Sequence, residues 1–203
     1  MSSLGNRERK CLLEIARQAL CVAAERGESL ENIAPDPAPG ESTGVFVTLR
    51  KRGRLRGCIG QIGTGRPLAQ VVAHSARSAA LEDPRFDPVR PDEVPEIEIE
   101  ISVLSALDEI SPEQIEAGKH GLLVGRGLQR GLLLPQVATE CHWTARRFLE
   151  ETCIKAGLAR DAWREPETKI QGFTAEVFSE SELQLEQSPG PEGRAKSRYS
   201  IST

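Results

Sequence analysis

The sequence predicts an α+β protein in which antiparallel or mixed sheets are flanked by helices. Three observations carry that prediction. Two pairs of apolar, β-branched stretches meet across short glycine turns, as hairpins do. Other stretches repeat apolar residues at helical spacing. One stretch, Glu96 to Leu104, alternates strictly between isoleucine or valine and polar residues, which gives the buried face and the wet or charge-paired face of an antiparallel sheet.

The totals set the limits. With 203 residues, 38 % of them hydrophobic, the chain can bury a real core, as one domain or two closely packed halves. A formal net charge of −4 exerts no general pull toward nucleic acid or an anionic membrane. No apolar run approaches the roughly 20 residues that span a bilayer. The polar start, Met1 to Lys10, lacks the apolar core of a signal peptide. Cys11, Cys21, Cys58, Cys141 and Cys153 are scattered, with no CxxC pair or zinc spacing, so a disulfide framework and a structural metal are both disfavoured. The expectation is a reduced, soluble, cytoplasmic protein.

Asn6 to Arg26 reads as a first helix, because Leu12, Ile15, Ala16, Ala19, Leu20 and Ala23 form one stripe and Gly27 suits a left-handed stop. Pro35, Pro37, Pro39 and Gly40 make a stiff surface connection. Gly44 to Arg50 and Arg54 to Ile62 form a hairpin about Lys51-Arg52-Gly53. A second helix runs from about Pro67 to Leu81 with a stripe of mostly small residues. Asp83 to Pro88 is a rigid charged loop in which Asp83 and Arg85 can fix each other or a ligand, with Phe86 packing inward. After the strand Glu96 to Leu104, Ser111-Pro112-Glu113-Gln114 starts a short helix that stops near Gly118. A second hairpin follows, Gly121 to Val124 and Leu128 to Leu134, then a helix from Thr144 to Ala156 closed by Gly157-Leu158. Ile170 to Phe178 is a final strand, and the residues after 180 form a polar tail expected to be disordered.

An offset of about 74 residues lays one hairpin on the other, bringing Arg56-Gly57 onto Arg130-Gly131. The helix and the strand that follow each hairpin also correspond, which predicts an internal β-β-α-β duplication.

The chemistry gathers at Gly53-Arg54-Leu55-Arg56-Gly57-Cys58-Ile59-Gly60. Glycines at 57 and 60 weaken a strand and need a reason: a bulge, or close approach of a backbone or ligand. Cys58 lies on no helical stripe, and Arg54 and Arg56 beside it are expected to lower its pKa. It is therefore a candidate nucleophile, with His74, His120 or His142 as the base. Strand alternation equally allows Cys58 to pack in the core.

These residues resemble the AMMECR1 family. Leu55-Arg56-Gly57-Cys58-Ile59-Gly60 is similar to its signature hexapeptide, and Asp83-Pro84-Arg85-Phe86, Glu98 to Leu104, His120-Gly121-Leu122, Leu134 to Ala138 and Lys155 to Leu158 continue the likeness. The match runs over roughly residues 6–180. The blocks Pro135-Gln136-Val137-Ala138 and Lys155-Ala156-Gly157-Leu158 resemble most the prokaryotic branch, AmmeMemoRadiSam system protein A. The resemblance implies two unequal, intertwined subdomains over residues 1–180. It also implies partners, a Memo-like protein and a radical-SAM protein. It names no settled activity, and no cofactor motif is present in the sequence.

The leading expectation is a small anionic or nucleotide-like ligand held near Arg56, Gly57, Cys58, Gly60, Asp83 and Arg85. The alternatives are a cysteine-dependent hydrolase or transferase built on Cys58, and an adaptor that docks a partner through a hairpin or sheet edge.

Overall fold

A computed structural model describes residues 4–30, 43–63 and 65–187. The proline connection at 35–40 lies outside the described residues, as do residues 188–203 of the tail. Helix α1 (Asn6–Arg26) ends at Gly27, which takes φ 70° and returns its N–H to the Ala23 carbonyl at 2.8 Å. Strands β1 (Gly44–Lys51) and β2 (Arg54–Ile62) form the first hairpin, followed by α2 (Leu68–Leu81) and β3 (Ile97–Leu104). Strands β4 (Asp108–Glu109), β5 (Gly121–Arg126) and β6 (Gln129–Leu133) come next, with helices α3 (Pro135–Glu140) and α4 (Ala145–Lys155). The described chain closes with β7 (Lys169–Phe173), β8 (Ala175–Ser179) and α5 (Glu180–Gln187).

Two four-stranded sheets result, in the orders β2-β1-β3-β8 and β4-β7-β5-β6, and every pairing in them is antiparallel. The small-residue stripe of α2 lies on the first sheet, so that Val45, Val47, Leu49, Ile99 and Ile101 are sealed between the strands and the α1/α2 pair. In the second sheet, α4 covers β5 and β6, and Phe148, Leu149 and Cys153 of its stripe enclose a separate core with Leu122 and Val124. A third apolar cluster, Leu104, Leu134 and Phe173 with Phe46 and Ile62 against them, joins the two sheets.

The three-strand units β2-β1-β3 and β6-β5-β7 repeat one antiparallel topology, each with a helix on the same pair of strands. Gly57 and Gly131 hold the same post in both. A Cβ on Gly57 would lie 2.2 Å from the Ala79 carbonyl oxygen of α2, and one on Gly131 would lie 2.3 Å from the Ala156 nitrogen at the end of α4. Glycine there lets a helix backbone rest directly on a strand.

Three expectations need correction. The strand expected at 170–178 is two strands, because the chain breaks at Thr174 and crosses from the second sheet to the first. Thr174 and Ser105 clasp each other at that crossing: Thr174 N–H donates to Ser105 Oγ at 2.9 Å, and Ser105 N–H to the Thr174 carbonyl at 2.9 Å. The helix expected from Ser111 is a single 3-10 turn, Pro112–Gln114, although Gln114 does cap Ser111 N–H at 3.0 Å. Between the second hairpin and α4, Pro135–Glu140 forms a short helix with proline at its first turn. The tail does not begin at 180. Glu180–Gln187 is helical, Leu183 is buried in the first core, and the Glu180 carboxylate pairs with Arg17 and accepts Ile99 N–H at 2.9 Å.

Candidate functional site

The hexapeptide Leu55-Arg56-Gly57-Cys58-Ile59-Gly60 is most of β2, an edge strand of the first sheet. Its two glycines are there for close approach: Gly57 faces α2, and a Cβ on Gly60 would lie 2.3 Å from the Val45 carbonyl and 2.4 Å from the Phe46 ring. A bulge between Leu49 and Arg50 shifts the register beside them. Since Gly57 faces the helix, the alternation of a strand turns Cys58 to the opposite face of the sheet. There the register aligns Cys58 with Thr48 of β1 and Thr48 with Glu100 of β3. A row of thiol, hydroxyl and carboxyl thus crosses three strands, and Thr48 Oγ1 donates to Cys58 Sγ at 3.3 Å.

At an open edge the Cys58 backbone needs partners. Asp83, in the loop after α2, accepts the Cys58 N–H at 2.8 Å. Arg85 braces that carboxylate with Nε at 2.9 Å and Nη2 at 2.6 Å, and Nη2 also approaches the Cys58 carbonyl at 3.4 Å. With these donors and the Arg85 charge about it, the Asp83 carboxyl is pulled down to about 2. Asp83 and Arg85 do fix each other, and together they cap the motif.

The thiol itself departs from the expectation. Burial pushes the Cys58 pKa up; the Thr48 hydrogen bond and Arg85 oppose this, while Asp83 and Glu100 reinforce it. The flanking Arg54 and Arg56 are not the groups that act on it. Arg54 is exposed, and Arg56 is spent elsewhere: Nε and Nη2 hold Glu93 at 3.3 and 3.0 Å, and Nη1 donates to the Asp87 carbonyl at 2.9 Å. Glu93, pinned also by Lys51 at 3.0 Å, is pulled down to about 2. Nor is a histidine among the groups that act most on the thiol. His74 lies exposed on α2, His120 accepts Glu116 N–H through Nδ1 at 3.1 Å beside the second sheet, and His142 stands exposed between α3 and α4 with φ 52°.

Beside the motif, the loop from Pro84 to Arg90 and the Arg56–Glu93 pair wall a surface cleft of about 680 Å³. Phe86 lines it, half-buried beneath the Arg85 guanidinium at 5.5 Å from the ring centre, instead of packing in the core. Arg85 and Arg90 each give two nitrogens to one aspartate, Asp83 and Asp92 respectively. Among the described residues, their Nη1 groups take no such bond. Arg56, Asp83 and Arg85 are therefore brought together as expected, whereas Cys58 and Gly60 face the other side of the strand.

Sequence reasoning missed Thr48, Glu93, Glu100, Arg90 and Gln136. The row Cys58–Thr48–Glu100 becomes visible only when three strands are in register. Glu93 carried a local signal, since it caps its own 3-10 turn by accepting Arg90 N–H at 3.2 Å. The carboxylates of β3 were expected on a solvated face or opposite the first hairpin's arginines. The second holds for Glu100, which has Arg50 at 3.9 Å, and for Glu96, which pairs with Arg52 at 2.6 Å. Glu100 is half-buried, however, because α3 lies over that end of the sheet: Gln136 donates to Ser102 at 3.0 Å and Arg50 to Glu140 at 2.7 Å.

Among the described residues no helix is long and apolar enough to cross a membrane, and no group of three His, Cys, Asp or Glu side chains is placed to hold a metal ion. The family model described as AMMECR1 matches residues 13–178. A protein of Methanothermobacter thermautotrophicus is 43 % identical over 187 residues, 87 % of this chain and 96 % of its own length. One of Aquifex aeolicus is 41 % identical over 179 residues, covering 84 % of this chain and 92 % of the relative. The crystal structure of an uncharacterised protein from Pyrococcus horikoshii superposes with a TM-score of 0.82 at 37 % identity, over 89 % of this chain and 95 % of that one.

Proposed function

The chain belongs to the AMMECR1 family, and on that premise we propose that it binds a small anionic, nucleotide-like ligand in the cleft beside its hexapeptide. The observation that carries this reading is the lining of the cleft, which brings Arg85, Arg90 and the Phe86 ring to one surface. Each guanidinium is held in place by one aspartate and keeps an outer nitrogen for a phosphate or carboxylate oxygen, which a planar fork recognises well. An aromatic ring in the same lining suits a base or other flat group. The hexapeptide supports the cleft from behind: Arg56 holds Glu93 and the carbonyls of Asp87 and Pro88, so the loop is shaped before any ligand arrives.

Cys58 enters this reading as a packing and hydrogen-bonding group. Its burial and its raised pKa weigh against a nucleophile. Joint action with a Memo-like and a radical-SAM protein rests on the family resemblance alone, and it would leave binding to this chain and redox chemistry to the partners.

Calorimetric titration with adenosine monophosphate, and separately with inorganic phosphate, tests the proposal at low ionic strength. Binding by the wild type is expected to weaken about tenfold in Arg90→Ala and in Phe86→Ala, and to fall with added salt. Absence of binding to both probes, or equal affinity in both variants, overturns it.

A further inference from the structure

The face of the second sheet turned away from α4 carries a charge imbalance that the first sheet does not have. Gly131 rests on α4, so strand alternation turns its neighbour Arg130 to the opposite face. The register then sets three residues in one row across the strands: Arg130 of β6, Gly125 of β5 and Lys169 of β7. Glycine in the middle of the row leaves a notch between two cations. The Arg130 stem leans over it, with Cγ 3.2 Å from where a Gly125 Cβ would stand. Leu123 and Gln171 are paired in the next row on that face, and together these residues line a hollow of about 200 Å³.

The corresponding cations of the first sheet are neutralised. Arg56, which precedes Gly57 as Arg130 precedes Gly131, holds Glu93 at 3.0 Å. One position beyond the Leu49–Gly57 pair, as Gly125 is beyond Val124–Gly131, Arg50 stands opposite Glu98 and pairs with Glu140 at 2.7 Å. Among the described residues, neither Arg130 nor Lys169 is ion-paired. Glu167 also lines the hollow, and it pairs with neither of them. Two positive charges thus share one notch against a single negative one, and an anion between them would relieve their repulsion.

We propose that this hollow binds a phosphate group, as the free ion or on a small molecule. Arg130 offers a planar fork, Lys169 a point charge and Gln171 an amide N–H, so donors from β6 and β7 meet over β5 around a tetrahedral oxyanion. The hollow is smaller than the roughly 300–1,000 Å³ of drug-sized ligand sites, which calls for a compact occupant. It shares no residue with the cleft beside the hexapeptide, and the two sites stand or fall separately.

A proton–nitrogen NMR titration of the full chain tests this, read at the Gly125 backbone amide and the Gln171 side-chain amide. The chain carries Arg90→Ala, so that binding in the hexapeptide cleft is not mistaken for binding here. Inorganic phosphate and glycerol phosphate are the two probes. Saturable shifts at both groups are expected with at least one probe. Arg130 and Lys169 are exposed, so Arg130→Ala and Lys169→Ala should keep the fold, and each should raise the dissociation constant about tenfold. Glu167→Gln should lower it about threefold, because it removes the one negative charge of the lining. Absence of saturable shifts with both probes up to about 50 mM overturns the proposal, as does a dissociation constant unchanged in both alanine variants. Tighter binding of the ester assigns the hollow to a phosphorylated small molecule, and tighter binding of phosphate to the free ion; either order supports the site.

Discussion

The Asp83 carboxylate accepts the Cys58 backbone N–H at 2.8 Å, so a side chain closes the edge of the first sheet at the centre of the hexapeptide. The same carboxylate is gripped by Arg85, whose own Nη2 leans on the Cys58 carbonyl at 3.4 Å. Two residues of one loop thereby imitate the donor and acceptor of a neighbouring strand. No further strand can pair at this point, which is one way an exposed edge is made safe.

That cap has a pH signature. Asp83 and Glu93 are both held near 2, below the ordinary carboxylate range, by Arg85 and by Arg56 with Lys51. A depressed carboxyl contributes stability that is complete above its unfolded value and is lost as pH falls through its folded value. Urea midpoints of the wild type should therefore drop between about pH 4 and pH 2, each group accounting for about 2 kcal/mol. Asp83→Asn should start about 2 kcal/mol less stable at pH 7 and lose less on acidification. An equal acid response in variant and wild type would show that Asp83 keeps an ordinary pKa.

Cys58 should be a slow thiol. Its buried setting raises the pKa, and the Thr48 hydroxyl is the chief group that opposes the rise. The pH–rate profile for alkylation of Cys58 is expected to have its midpoint above about 8.5, and Thr48→Val should move it higher still. A midpoint below that value would restore the nucleophile. Cys58→Ser should fold and keep any affinity for adenosine monophosphate within about threefold, half of one tenfold step on the free-energy scale.

The paired glycines give a test of the repeated unit. Alanine at 57 would push on the backbone of α2, and alanine at 131 on the backbone where α4 ends. Backbone cannot step aside as a side-chain tip does, so each substitution should cost about 3 kcal/mol in urea unfolding. At Gly127 a Cβ meets nothing within 4 Å but φ is +58°, and Gly127→Ala should cost only about 1 kcal/mol. Similar losses at all three positions would mean that the close helix approach carries no special weight.

Much of this architecture was legible along the chain because its causes are local. The stripes of α1, α2 and α4, the stop at Gly27, the closing turn at Gly157-Leu158 and both hairpin turns depend on residues a few positions apart. Gly57 and Gly60 were readable as places of close approach, although not what approaches. The segments misread are those in which a distant partner overrides local preference. The apolar run from Ile170 to Phe178 reads as one strand until Ser105 breaks it at Thr174, and the polar residues after 180 read as tail until Arg17 and Ile99 bind Glu180.

The sequence by itself determined the family, the helices, the hairpins and the one stretch where glycine, arginine and thiol converge. Only the tertiary structure decided how that stretch is used. Alternation along β3 distinguishes two faces, but it cannot say what covers them. Register across three strands put Cys58 in line with Glu100, and a helix from the other half of the chain then packed over that end of the sheet, leaving Glu100 half-buried. Charge and reactivity follow solvation, and solvation at these residues is set by neighbours 30 to 40 positions away in sequence, such as Gln136 over Ser102 (|i−j| 34) and Glu93 beside Arg56 (|i−j| 37).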